Sequence, residues 1–165
     1  MKNSKQLNAI ALDSEKSKDL IIKLNDLLAN YQVFYTNVRG YHWNIKGDKF
    51  FELHIKFEEL YNDLFAKIDE VAERIVTLGG TPDRNYSEYL EISEVQESDV
   101  VSDGFEAVHG IIDSFKKILQ RERQILDMSD EAGDEGTNSL MSDFITEQEK
   151  TVWMYTAYVN KSTNS

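Results

Sequence analysis

Two of the three histidines in this 165-residue chain, His42 and His54, share one stretch with three acids, Glu58, Asp69 and Glu73. Imidazole and carboxylate together form a ligand set that suits iron, zinc and manganese alike. The chain has no cysteine, which excludes thiolate zinc sites, iron–sulfur clusters and disulfides. The chemistry open to these five side chains is therefore nitrogen–oxygen coordination of a metal ion, if the fold lets them meet.

Helix geometry decides which of them can. Gly47 interrupts the apolar pattern and Asp48 reads as an N-cap, so a helix is expected from near Lys49. It should run to Leu78, where Gly79, Gly80 and Pro82 stop it. At ~100° per residue, His54, Glu58, Asp69 and Glu73 lie within roughly 100° of one another around that helix. His54 and Glu58 are one turn apart, as are Asp69 and Glu73, so each pair can hold one ion. His54 and Asp69, however, stand roughly 22 Å apart along the axis at ~1.5 Å per residue. They cannot share an ion within one copy of the helix. Two antiparallel copies would bring the His54 end of one against the Asp69 end of the other. The spacing thus predicts a metal site shared between two subunits.

The same residues carry a resemblance. The pattern H-x11-H-x3-E-x10-D-x3-E is flanked by HWN-x-x-G-x-x-F-x-x-LH and D-E-x-A-E-R-x-x-x-x-GG. Its residues here are His42, Trp43, Asn44, Gly47, Phe50, Leu53, His54, Glu58, Asp69, Glu70, Ala72, Glu73, Arg74, Gly79 and Gly80. This strongly resembles the Dps family, the mini-ferritins, and the likeness extends from about Leu12 to Val159. It implies a ferroxidase centre across a two-fold interface, with His42 and His54 from one subunit and Asp69 and Glu73 from its neighbour. Glu58 stands where many members carry Asp. It would be a ligand to a second iron or a hydrogen-bond partner of the ligands. Trp43, beside the site, would pack there or intercept stray oxidising equivalents.

The elements around this stretch read as helices. One proline, eight glycines and abundant Leu, Ile, Glu and Lys favour an all-α chain, and the length suits one domain with a real core. A first helix is expected from Ser14 to Trp43, on the repeat of Leu20, Leu24, Leu27, Tyr31, Phe34 and Val38. The connection from Thr81 to Asp99 is long, and Ser87–Ile92 within it suits a short helix; the resemblance places such a helix at the two-fold interface. A third long helix is expected from Ser98 to Met128, then an acidic turn from Asp130 to Gly136, then a last helix from Gly136 to Val159. The step Glu106-Ala-Val-His109 on the third is a lone E-x-x-H. An intra-bundle di-iron site needs two such steps and two further glutamates, so His109 reads as structural. The fold expected is a ferritin-like four-helix bundle with a short extra helix between the second and third. Residues 12–160 form the domain, 1–11 a flexible N-terminal tail and 161–165 a short polar end.

Charge and hydropathy narrow the partners. The net charge of −12 repels phosphate backbones and attracts cations. No apolar run suits a signal peptide or a bilayer span, which predicts a cytoplasmic protein with no membrane partner. The resemblance implies a hollow homo-dodecamer that takes up Fe²⁺ through three-fold channels lined by Asp130, Asp134 and Glu135. It implies oxidation by H₂O₂ in preference to O₂, and storage of the ferric mineral, with protection against oxidative stress. Zinc or manganese would compete for the same ligands. Two rival readings stand beside this one. One is a DNA-compacting protein that uses Lys2 and Lys5 of the N-terminal tail, and the other is a purely structural bundle without metal.

Overall fold

Among the described residues five helices follow one another: α1 Ser14–Asn44, α2 Phe50–Thr77, α3 Tyr86–Ile92, α4 Gly104–Ala132 and α5 Glu135–Val159. The computed structural model describes residues 6–160. α1 packs against α2, α4 and the short α3, and α4 packs against α5. The result is the expected all-α four-helix bundle with a short helix between the second and third long ones. Its core is made by the predicted stripes, including Leu24, Phe34, Phe57, Leu64, Ile111 and Phe115, all essentially inaccessible. Phe34 of α1 meets Phe115 of α4 edge to face, with ring centroids 4.9 Å apart at 85°. Among the described residues, no helix is long and apolar enough to cross a membrane.

Helix ends depart from the sequence expectation where side chains claim the backbone. Asp13 caps α1, accepting from the Glu15 and Lys16 amides. α2 does not use Asp48 as its cap. It begins after Lys49, which makes no side-chain cap bond, and the Phe50 amide is satisfied instead by the Gly47 carbonyl at 3.2 Å. At the far end Gly79 sits at φ +90°, a conformation that glycine adopts without strain. The Gly79 amide reaches Val76 O and the Gly80 amide reaches Ile75 O, which closes α2 with a Schellman motif.

α4 starts at Gly104, later than the expected Ser98. The reason lies on α1. Asn30 Oδ1 accepts from the Glu94 and Val95 amides, and Asn37 bonds both Gln96 O and the Ser98 amide. Backbone groups held this way leave the helical ladder, and α4 begins only where Asp103 caps it. The acidic turn is also shorter than expected. Residues 130–132 continue α4, and only Gly133 and Asp134 lie between the helices.

The N-terminal segment is not loose through residue 11. Asn8 Oδ1 accepts from the Ile10 and Leu12 amides, and its Nδ2 donates to Ser17 Oγ and Leu78 O. These bonds tie residues 6–13 to the ends of α1 and α2. Lys2, Lys5 and residues 161–165 lie outside the described residues.

Candidate metal centre

The last turn of α1 carries His42 and the second turn of α2 carries His54, and the short link between the helices folds them face to face. The imidazole centroids are 3.8 Å apart with the rings 14° from parallel. His42 Nδ1 lies 2.7 Å from the carbonyl oxygen of His54, and His54 Nδ1 lies 2.8 Å from that of His42. A carbonyl only accepts, so both Nδ1 atoms must carry the hydrogen. Each neutral ring then holds its free lone pair on Nε2, the form that binds a metal. The His42 carbonyl is free for this role because it lies in the last turn of α1, where helical acceptors lose their partners.

Aromatic rings enclose the pair. Phe50 stacks on His54, with centroids 4.8 Å apart at 19°. Tyr61 and His42 meet edge to face, with centroids 5.3 Å apart at 78°. His42 is only 8 % exposed and His54 is half-buried. Trp43, next in sequence, is 65 % exposed, and the Arg39 guanidinium stacks 4.8 Å above its ring.

The carboxylates are placed otherwise. Glu58, Asp69 and Glu73 are all exposed on α2 and stay far from the histidines of their own chain, Glu58 excepted by its single turn. Among the described residues, no three His, Asp or Glu side chains of one chain converge to hold an ion. The acids alternate with large apolar residues that no described residue covers. Phe51 is 80 % exposed and Phe65 62 %, and Ile55 and Val76 are more than half exposed. An uncovered stripe of this kind marks a contact surface.

Among the expected channel acids, Asp130 and Glu135 are exposed at the junction of α4 and α5. Asp134 is not, at 1 % exposure. It caps α5, accepting from the Thr137 amide at 3.0 Å and from Thr137 Oγ1 at 2.5 Å, and it pairs with Arg74 Nη2 of α2 at 2.6 Å. Its carboxylate is thus committed inside the chain. Asp before Glu-Gly-Thr at a helix start was the available signal for the cap; the arginine partner had none. Breaking that pair strands a buried charge. Arg74→Ala is expected to cost about 3 kcal/mol or more in chemical denaturation, most of it regained when Asp134→Asn is added. A loss that the second change does not reduce would mean the pair is not what matters there.

His109, read as structural from sequence, is exposed on α4 and so is not a core histidine. Sequence reasoning also passed over Tyr61 as a neighbour of the site and gave Phe50 no role beyond its place in the motif.

Comparison with known proteins agrees with this architecture. A family model for the ferritin-like domain matches residues 21–164. The crystal structure of a Dps protein from Vibrio cholerae O1, described as a member of a broad superfamily of ferritin-like diiron-carboxylate proteins, superposes with a TM-score of 0.93. The two are 52 % identical, over 95 % of this chain and 99 % of that one. Dps from Staphylococcus aureus superposes with a TM-score of 0.83 at 34 % identity, covering 86 % of this chain and 95 % of that one. The DNA protection during starvation protein of Porphyromonas gingivalis is 44 % identical over 157 residues, 95 % of this chain and 99 % of that protein. On its helices, its motif and these likenesses, the chain belongs to the ferritin-like family, in its Dps group.

Proposed function

We propose that this chain is a ferroxidase that oxidises Fe²⁺ at sites shared between two copies and stores the ferric product inside a shell. The observation that carries the reading is the reciprocal His42–His54 lock. It presents two neutral Nε2 donors side by side, while the charge needed beside them stands on the same helix, out of reach. Asp69 and Glu73 of a second, antiparallel α2 would supply that charge. The exposed Phe51, Ile55, Phe65 and Val76 would be covered in the same contact.

Fe²⁺ is the substrate. His42 and His54 hold it by nitrogen, Asp69 and Glu73 of the second copy neutralise it, and Glu58 offers a further carboxylate on the same face. Carboxylates favour the ferric state over the ferrous one, which drives electron loss. One electron from each of a pair of Fe²⁺ ions reduces one H₂O₂, whose O–O bond breaks with uptake of two protons to leave two waters. Electrons leave pairwise, so no hydroxyl radical is released. O₂ is the slower oxidant in this reading, and zinc and manganese compete for the site. Asp130 and Glu135 would draw cations towards the interior of a twelve-subunit shell of tetrahedral symmetry.

Direct DNA binding fits less well. The chain carries a net charge of −12, and residues 6–13 are tied to the bundle, which shortens any free N-terminal arm. The name of the relatives, DNA protection, is equally served by removal of Fe²⁺ and peroxide in the cytoplasm.

The deciding experiment loads the purified protein anaerobically with Fe²⁺, adds peroxide, and records ferric absorbance and particle mass together. Rapid oxidation by a dodecamer-sized particle is expected. A dodecamer that oxidises nothing would remove the enzyme and keep the shell. A monomer would remove the shared site.

A further inference from the structure

We infer that Phe50 is a positioning residue for the histidine pair: its ring clamps His54 against His42, so that both Nε2 atoms are aligned before any metal arrives. This rests on the reading of His42 and His54 as ligands.

Each imidazole is tethered by a single Nδ1–H···O bond, 2.7 Å for His42 and 2.8 Å for His54. One such bond sets the tautomer only while it holds, and by itself it leaves the ring free to swing out of it. Flat contacts on the ring faces remove that freedom. Phe50 covers one face of His54 at 4.8 Å and 19°, and His42 covers the other at 3.8 Å and 14°. Tyr61 closes the outer side of His42 at 5.3 Å. Phe50, His54 and Tyr61 all come from one face of α2, and His42 enters from α1 as the third ring of four. The clamp is itself held in place, because the Phe50 amide is bonded to the Gly47 carbonyl at the turn that starts α2.

The stack also restricts what can bind. With rings stacked on His54, a ligand reaches its Nε2 by approaching in the ring plane, as a metal ion does. Partners that orient a metal ligand without touching the metal commonly change metal affinity ten- to a hundred-fold when lost, and the ring contacts here act on the same orientation.

The test compares Phe50→Leu, which keeps the apolar bulk without the flat ring, with Phe50→Tyr, which keeps the ring. Both are measured as assembled full-length protein, with helicity checked by circular dichroism. Phe50→Leu is expected to weaken Zn²⁺ binding in calorimetry and to raise the KM for Fe²⁺ by about ten-fold, with kcat within about two-fold of wild type. Phe50→Tyr should restore both. In metal-free protein with ¹⁵N-labelled histidine, wild type and Phe50→Tyr should show Nδ1–H alone for the pair, and Phe50→Leu a mixture of tautomers. Unchanged Zn²⁺ affinity and an unchanged tautomer in Phe50→Leu would overturn the inference, as would failure of Phe50→Tyr to restore them. If wild type binds neither Zn²⁺ nor Fe²⁺, the ligand reading itself fails, and the metal-free tautomer still decides whether Phe50 orders the pair.

Discussion

His42→Ala and Glu73→Ala are each expected to slow Fe²⁺ oxidation by about a hundred-fold or more while the shell still assembles, yet the two variants mixed together should recover activity. A lost ligand costs at least as much as a lost supporting partner. Both changes are tolerable to the fold, because Glu73 is exposed and His42 packs through ring contacts at the end of α1 rather than in the bundle centre. The recovery follows from two-fold symmetry. In a pair made of one chain of each kind, one shared site carries both defects and the other carries neither. Random co-assembly from equal amounts gives half mixed pairs, each with one intact site of two, hence about one quarter of the wild-type rate. Co-expression of differently tagged chains, isolation of the mixed particle and a stopped-flow rate would measure it. No recovery in a particle shown to hold both chains would place His42 and Glu73 in the same protomer's site or in none, contrary to the separation of His54, stacked on His42, from Glu73 along α2.

A second large effect concerns a buried acid far from the histidines. Glu122 of α4 is wholly inaccessible, and burial pushes its carboxyl up to about 7, although Tyr31, Gln148, Lys67 and Arg123 each pull it down. Tyr31 of α1 donates to Glu122 Oε1, and Gln148 Nε2 of α5 donates to the Tyr31 hydroxyl at 2.5 Å. Glu122 Oε2 and Gln148 Oε1 have no partner, and both are acceptors unless Glu122 carries a proton. Lys67 of α2, itself buried, is held by Asp63 and Glu147 at 2.8 Å each.

In the unfolded chain Glu122 titrates near its ordinary 4.5, and in the folded chain at about 7. Its contribution is therefore fully present below 4.5 and is lost as the pH rises through about 7. The gap corresponds to roughly 3 kcal/mol per chain. Glu122→Gln supplies a permanent amide donor where the protonated acid stood and keeps the oxygen that accepts from Tyr31. The variant is expected to gain stability over wild type on going from about pH 5 to about pH 8, by up to that amount. Chemical unfolding of both proteins across this range measures the difference, and all other titrating groups cancel in it. Parallel pH curves for the two proteins would show that Glu122 is ionised in the folded chain throughout.

Much of this molecule is legible from residue order alone, for a reason of geometry. A helix is a rigid ruler, so the period of Leu24, Phe34 and Val38 on α1, or of Phe57, Leu64 and Ile75 on α2, fixes which face is buried before any partner is known. The same ruler separates His54 from Asp69, so an ion held by both would need a second copy. The bundle and the break at Gly79 follow from local pattern, and so does the proposed ligand set.

What tertiary structure alone decided are pairings between polar or aromatic groups distant in sequence. Asp134 reads as a surface acid until Arg74, 60 residues earlier, is seen to pair with it. α4 starts late because Asn30 and Asn37 of α1 take up the backbone before it. Glu122 looks like any helical glutamate until Tyr31 and Gln148 close over it. The histidines were visible as candidate ligands, but their tautomer was not, since it depends on each carbonyl lying beside the other's Nδ1 and on Phe50 lying flat against His54. Periodicity specifies which side of a helix turns inward. Only the packing of one helix on another specifies which atoms it finds there.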